Sequence, residues 1–296
     1  MSEALDWHED GADWPRRETS RFIKTDAMTW HVQIAGQGPT LLLLHGTGAS
    51  SHSYRHLAPL LEKDFRLVIP DLPGHGFSEA LPGPAQSLPG MAQALRSLLQ
   101  KLDTQIDLAI GHSAGGAIAI RMCLDGMINP RAVVGINAAL TPYGGIANQT
   151  FPGLARVFML NPLVLRFFSW QASGLGAVRS LMQSTGSRLS EEDLKLYQKL
   201  FLSQRHLHAT VAMMANWNLT KLKQEMSGLK TPLVLIVAKG DLAVSPEDAR
   251  RVKQTLPATQ LHFLPNCGHL CHEEKPQEVA DIIKQIAHDQ GVLHAA

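Results

Sequence analysis

The stretch LAIGHSAGGAIAI, Leu108 to Ile120, sets a serine where one apolar run stops and another begins. Gly111, Gly115 and Gly116 surround Ser113 with almost no side-chain bulk. The pattern Gly111-His112-Ser113-Ala114-Gly115 is G-x-S-x-G, flanked by a strand-like run and a helix-like run. A strand-to-helix turn that sharp forces its serine into a strained backbone and exposes the Oγ. Strand and helix then approach so closely that the flanking positions must be small. A glycine-rich turn with a capping serine is the competing reading of the pentapeptide alone, so the rest of the chain must decide.

Short apolar runs alternate with helical patterns on both sides of this turn. TLLLLH (Thr40 to His45), RLVIPD (Arg66 to Asp71), IDLAIG (Ile106 to Gly111), AVVGIN (Ala132 to Asn137) and PLVLIVA (Pro232 to Ala238) read as strands buried on both faces. QLHFLP (Gln260 to Pro265) would be the last strand. Buried parallel strands show such continuous runs because helices cover both faces of their sheet. Two earlier strands, near Arg21–Lys24 and Thr29–Ala35, would form an antiparallel edge. Helices are expected near Ser53–Glu62, Pro89–Leu102, Ala114–Gly126, Pro246–Leu256 and Glu273–Ala287. The alternation predicts an open α/β sheet.

After Asn137 the next strand-like run waits until Pro232, far longer than a crossover needs. The interval carries FPGLARVFMLNPLVLRFFSW, EEDLKLYQKLF and HATVAMMANWNL, which read as helices. The expected division is a core of residues 1–140 and 229–296, with residues 1–20 as an N-terminal arm, and a helical cap of residues 141–228.

A serine nucleophile needs a base and a group to orient it, in the order Ser, acid, His for this kind of sheet. Asp241 follows the strand PLVLIVA, in KGDLAVSP, and His269 follows QLHFLP, in NCGHLCHEE. Both fall at carboxyl ends of strands, the edge where open α/β sheets place their chemistry. His45-Gly46, then Thr47-Gly48, follow the run TLLLL. The backbone N–H of Thr47, with that of Ala114, would make a two-donor oxyanion hole. A phosphate loop fails there, because no Gly-Lys-Ser/Thr follows and no G-x-G-x-x-G aligns.

With these residues in place, and with DLPGHGFS (Asp71 to Ser78) after the strand RLVIPD, the chain resembles the α/β-hydrolase superfamily over nearly its whole length. The resemblance implies an eight-stranded, mostly parallel sheet flanked by helices with an inserted helical cap. It implies Ser113 as nucleophile, Asp241 as acid, His269 as base, and Thr47 and Ala114 as oxyanion donors, with no cofactor and no metal. Relatives that open epoxides or remove halides carry aspartate at the nucleophile position, so serine favours acyl chemistry. A narrower resemblance lies outside the shared motifs. DWHEDGADWPRRETSRF, HGTGASSHSYRHLAPLL, INAALTPYGGIANQTFPGLAR, TGSRL and MMANWNL are similar to the magnesium-chelatase accessory-protein family of bacteriochlorophyll biosynthesis. That similarity implies a tetrapyrrole pathway in a photosynthetic bacterium and supplies no reaction.

The expected function is hydrolysis of an ester or similar acyl bond in a small apolar substrate, with a tetrapyrrole ester as one candidate. The rival is a non-catalytic accessory protein that binds porphyrin or magnesium chelatase. Perhydrolysis and C–C bond hydrolysis would use the same residues. His45, Gly46, His112, Phe168, Trp170, Met213 and Trp217 are the expected pocket residues. Cap aromatics and methionines pack by default, and a lipophilic pocket is their functional alternative.

Other signals carry less. CGHLCH, Cys267 to His272, gathers two cysteines and two histidines, but no second ligand pair has zinc-finger spacing elsewhere. RHLH, Arg205 to His208, reads as a solvated helix face, and Asp71 and His75 as turn formers. A net charge of +1 gives no reason to expect nucleic acid. Three cysteines suit a reducing compartment. MSEALDWHEDGADWPRRE has no apolar core of a signal peptide, and Leu154 to Trp170 is too interrupted to span a bilayer. The expected location is the cytoplasm.

Overall fold

The computed structural model describes residues 3–142 and 174–293. Eight strands form one sheet: β1 (Ser20–Lys24), β2 (Thr29–Ala35), β3 (Thr40–Leu44), β4 (Arg66–Pro70), β5 (Leu108–His112), β6 (Ala132–Ile136), β7 (Leu233–Ala238) and β8 (Gln260–Leu264). Their spatial order is β1-β2-β4-β3-β5-β6-β7-β8. The β1–β2 and β2–β4 pairs are antiparallel and the remaining pairs parallel.

Every residue of β3, β5, β6 and β7 is buried, as continuous apolar runs require, whereas the edge strand β1 is partly exposed along its length. Alternate residues leave a strand on opposite faces. Leu42 and Leu44 of β3 therefore join one core with α2 (Leu88–Lys101) and α3 (Ala114–Leu124). Leu41 and Leu43 join the other, with α1 (Ala58–Leu61).

Two expected helices are divided. Ser53–Glu62 becomes a 3₁₀ turn, Ser51–Tyr54, followed by α1. Pro59 cannot donate to the carbonyl four residues back, so no continuous helix runs through it. Between β6 and β7 lie α4 (Leu175–Ser184), α5 (Glu191–Leu202), α6 (Gln204–Asn216) and α7 (Thr220–Glu225). Beyond β7 come α8 (Pro246–Thr255), and then α9 (Cys271–Glu274) and α10 (Pro276–Asp289) where Glu273–Ala287 was expected. The break falls at Lys275, which Pro276 drives out of the helical region.

Serines start several of these helices. Ser87, Ser190, Ser203 and Ser245 each accept a backbone N–H of the first turn, which supplies an acceptor that the helix itself lacks there. The inserted helices reach back onto the sheet end. Val178, Met182, Leu194 and Tyr197 pack with Ala49 and Leu270, and Leu200 packs with Leu5, Trp14 and Phe77. The N-terminal arm is thereby held against α5, where Lys199 Nζ donates to the Asp10 carbonyl at 2.8 Å. Among the described residues, no helix is long and apolar enough to cross a membrane.

Candidate active site

Ser113 follows β5 directly and precedes the first residue of α3, with φ 51° and ψ −116°. A non-glycine residue in that region is strained, and the surroundings must hold it there. Its N–H donates to the Ile136 carbonyl at 3.0 Å, and its carbonyl accepts from Ala139 N at 3.1 Å. The small neighbours are a packing requirement. A Cβ on Gly115 would stand 2.1 Å from the Leu44 carbonyl oxygen, so any side chain there would push α3 off β3. A Cβ on Gly46 would lie 2.8 Å from His112 Nδ1 and 3.1 Å from Ser113 Cβ, so the 46–48 loop lies directly against the serine.

Ala114 opens α3, and the N–H of a first helical residue has no acceptor within its helix. Thr47 sits in the loop after β3, and its Oγ1 donates to Met213 Sδ of α6 at 3.6 Å. Loop and helix are thus joined beside the serine.

His269 is buried and held from three sides. Its Nδ1 is 2.8 Å from Asp241 Oδ2. Its backbone N–H donates to the Thr185 carbonyl at 3.2 Å. Its carbonyl accepts from His112 Nε2 and from Asn137 Nδ2, each at 2.9 Å. Asp241 is buried too, and its Oδ1 accepts the N–H groups of Ala243 at 2.8 Å and Val244 at 2.9 Å. The carboxylate is fixed by its own turn, and its free oxygen aims at the imidazole. A carboxylate oxygen at Nδ1 favours the ring proton there and leaves Nε2 as the acceptor nitrogen.

His112, directly before Ser113, packs its ring against His269 with centroids 4.6 Å apart and against His272 at 4.4 Å. Burial, then the charges of His272 and His269, push its pKa well below the ordinary imidazole value. His45 is fully buried. Its Nδ1 donates to the Gly46 carbonyl at 2.8 Å, and its Nε2 accepts from Leu72 N at 2.8 Å. Both histidines, expected as pocket walls, use these ring nitrogens to hold backbone groups of the loops around Ser113. Met213 is fully buried in the core with α2 and α3, and half-buried Trp217 packs on the same cluster. Phe168 and Trp170 lie outside the described residues.

A cavity of about 570 Å³ opens beside Asp241, between the inserted helices and α8. Asp241, Val244, Leu140, Met226 and Arg251 are among its walls, and Ser113 is not.

Two features escaped the sequence reading. Asn137, at φ 43°, ends β6 and ties three strand ends together. Its Oδ1 accepts from Ala238 N at 2.8 Å, while Nδ2 donates to the Gly268 and His269 carbonyls. An asparagine before a long insertion was the available signal, since asparagine tolerates positive φ. The second is a correction. His206, expected on a solvated face, is fully buried, because α6 presses that turn onto two loops of the site. Its Nδ1 accepts from Gly76 N at 3.0 Å and its Nε2 donates to the Gly48 carbonyl at 3.2 Å.

CGHLCH brings its two thiols, Cys267 and Cys271, into hydrogen-bond contact and sends its histidines to other partners. Cys267 Sγ meets the Leu264 carbonyl, His269 meets Asp241, Cys271 Sγ accepts from Asn137 Nδ2, and His272 Nε2 is 2.8 Å from Ser53 Oγ. Among the described residues, no group of three or more His, Cys, Asp or Glu side chains is placed to hold a metal ion.

A strained serine between a strand and a helix, with an aspartate and a histidine paired just past later strands of the same sheet, is an arrangement shared by one large class of enzymes. The alpha/beta hydrolase family model matches residues 41–282, and the chain belongs to that family. Over 268 residues it is 38% identical to the magnesium-chelatase 30 kDa subunit of Rhodobacter capsulatus, covering 88% of this chain and 92% of the relative. It is 27% identical to the pimeloyl-[acyl-carrier protein] methyl ester esterase of Nitrosospira multiformis, covering 86% and 97%. An alpha/beta hydrolase fold protein from Burkholderia ambifaria superposes with a TM-score of 0.76 at 19% identity, covering 96% of this chain and 100% of that one.

Proposed function

We propose that this hydrolase is a serine hydrolase that cleaves an ester or similar acyl bond of an apolar substrate. The observation that carries the reading is the 2.8 Å contact between His269 Nδ1 and Asp241 Oδ2, on the same sheet edge as the strained Ser113. His269 Nε2 takes the Ser113 hydroxyl proton as Oγ attacks the acyl carbon. The N–H groups of Thr47 and Ala114 receive the oxyanion, each contributing about 10²–10³ in rate by analogy with measured oxyanion donors. The imidazolium, balanced by Asp241, passes its proton to the departing alcohol. A water then gives a proton to the same nitrogen and releases the acid.

Residues 141–228 act as a cap over the core formed by residues 1–140 and 229–296. The esterase relative supports an ester as the substrate. The Rhodobacter relative supports a link to bacteriochlorophyll formation, with a tetrapyrrole ester as the substrate to test first. Three free cysteines suit the cytoplasm.

Fluorophosphonate labelling tests the reading. Peptide mapping should show an adduct at Ser113, absent from that position in Ser113→Ala and weakened there in His269→Ala. A folded protein that takes no label at Ser113 would sink it.

The name of the Rhodobacter relative also favours a second reading, in which the protein binds porphyrin or magnesium chelatase without catalysis. Ser113→Ala, expressed at normal abundance in a strain lacking the protein, separates the two. Full restoration of bacteriochlorophyll favours binding, and failure favours chemistry.

A further inference from the structure

A second serine, histidine and aspartate stand in line far from Ser113, across three neighbouring strands. In the β1–β2 register Phe22 lies opposite His31 and Ser20 opposite Gln33, which makes Ser20 the diagonal neighbour of His31 on one face. Ser20 Oγ is 2.9 Å from His31 Nε2, and His31 Nδ1 is 2.8 Å from Asp71 Oδ2, just beyond β4. Asp71 is fully buried and fixed, with Oδ1 accepting from Ser51 N at 2.6 Å and Oδ2 from Phe77 N at 3.0 Å. Burial alone would raise this carboxyl, yet His31 beside it, with His45 and the Ser51 N–H, holds it well below the usual range. With the Asp71 carboxylate accepting the ring proton at Nδ1, Nε2 faces the Ser20 hydroxyl as an acceptor. The proton of Ser20 has a base waiting for it.

We propose that Ser20 is a second acyl-accepting hydroxyl of this protein, activated by His31 and Asp71 and open to activated apolar esters. Other serine–histidine pairs lack what this one has. Ser50 with His52, and Ser53 with His272, are fully buried, so no reagent reaches them. Ser20 is half-buried on the edge strand, and Phe22 beside it is 46% exposed. The His31 ring is backed by Trp7 at 5.0 Å and Phe77 at 5.4 Å, which exclude water from the base and offer an apolar wall to an acyl group. In the step, Ser20 Oγ bonds to the acyl carbon and its proton passes to His31 Nε2. The bond to the leaving alcohol breaks, and His31 returns the proton to that alcohol, leaving Ser20 as its ester.

Ser113→Ala protein, treated with p-nitrophenyl acetate or a fluorophosphonate and mapped by peptide mass spectrometry, provides the test. Ser184, exposed and with its Oγ donating to the Leu181 carbonyl at 2.7 Å, is the internal comparator. Ser20 should acquire the adduct at least about 10² times faster than Ser184, the low end of what general-base assistance supplies. His31→Gln, checked for native circular dichroism, should bring Ser20 down to the Ser184 rate. Equal rates at Ser20 and Ser184 would overturn the proposal without any substitution at His31. Retained Ser20 reactivity in folded His31→Gln would overturn the base assignment.

Discussion

Acid should unfold this protein well before its carboxylates titrate. His52, His75, His112, His206 and His272 are each at most 2% exposed. Burial pushes the pKa of His206 down to about 4 and of His272 to about 3, and drives those of His52, His75 and His112 well below the ordinary value of 6.5. Neighbouring cationic groups reinforce the shift in several cases, as Arg55 does at His52 and His272.

In the unfolded chain these imidazoles regain a pKa of about 6.5 and bind protons that the folded state refuses. The stability they permit is full above that value and is lost as pH falls through it. At pH 5.5, one unit below, each costs about 1.4 kcal/mol relative to neutral conditions, or about 7 kcal/mol for the five. That is a large share of the roughly 5–15 kcal/mol that holds a typical domain. Asp71, whose folded pKa is depressed, acts in a lower window: its contribution persists until pH falls toward the carboxylate range. Urea unfolding followed by tryptophan fluorescence at pH 7.5, 6.5 and 5.5 should show the midpoint collapsing across that interval. A free energy flat to within about 1 kcal/mol over those two units would refute the reasoning, since one proton per pH unit is already worth about 1.4.

The remaining predictions concern single side chains. Asp241→Asn should leave the fold intact yet lower turnover of any accepted ester by about 10³–10⁴, through loss of the imidazole's tautomer and charge balance. Near-native steady-state rates would place the acid elsewhere. Gly115→Ala should destabilise by about 2–4 kcal/mol in denaturant titration, because its methyl would meet the Leu44 carbonyl oxygen 2.1 Å away. A stable, active variant would show that α3 can slide. Arg55→Met should cost about 3–5 kcal/mol, because it strands the Glu273 carboxylate, which is buried and bonded to Arg55 Nη1 at 2.6 Å. A double change, Arg55→Met with Glu273→Gln, should recover part of the loss, and a further loss instead would mean that Arg55 acts mainly through Asp193.

The sequence by itself determined the parts of this protein that depend on short-range pattern. Runs such as TLLLL and LVLIVA can be buried on both faces only as strands of a covered sheet, and all five central runs became strands within a residue or two of their expected limits. The turn at Ser113, and the placement of Asp241 and His269 just past later strands, were equally legible, because strand ends are marked locally by turn residues. Pro59 and Pro276 marked the two divided helices just as plainly; the breaks were readable and were overridden by the apolar periodicity.

What only the tertiary structure decided is which distant groups meet. That Gly115 faces the Leu44 carbonyl follows from how α3 crosses β3, and the sequence shows only its lack of bulk. Asn137 joins β6, β7 and β8 through backbone groups that no side-chain pattern reveals. Ser20 meets His31 because β1 and β2 pair in one register, and a slip of one residue would send the hydroxyl to the other face. The buried histidines were the hardest to foresee. An imidazole is as much at home in water as in a core, and the sequence does not say which of them will find a carbonyl, a backbone N–H or a carboxylate waiting inside.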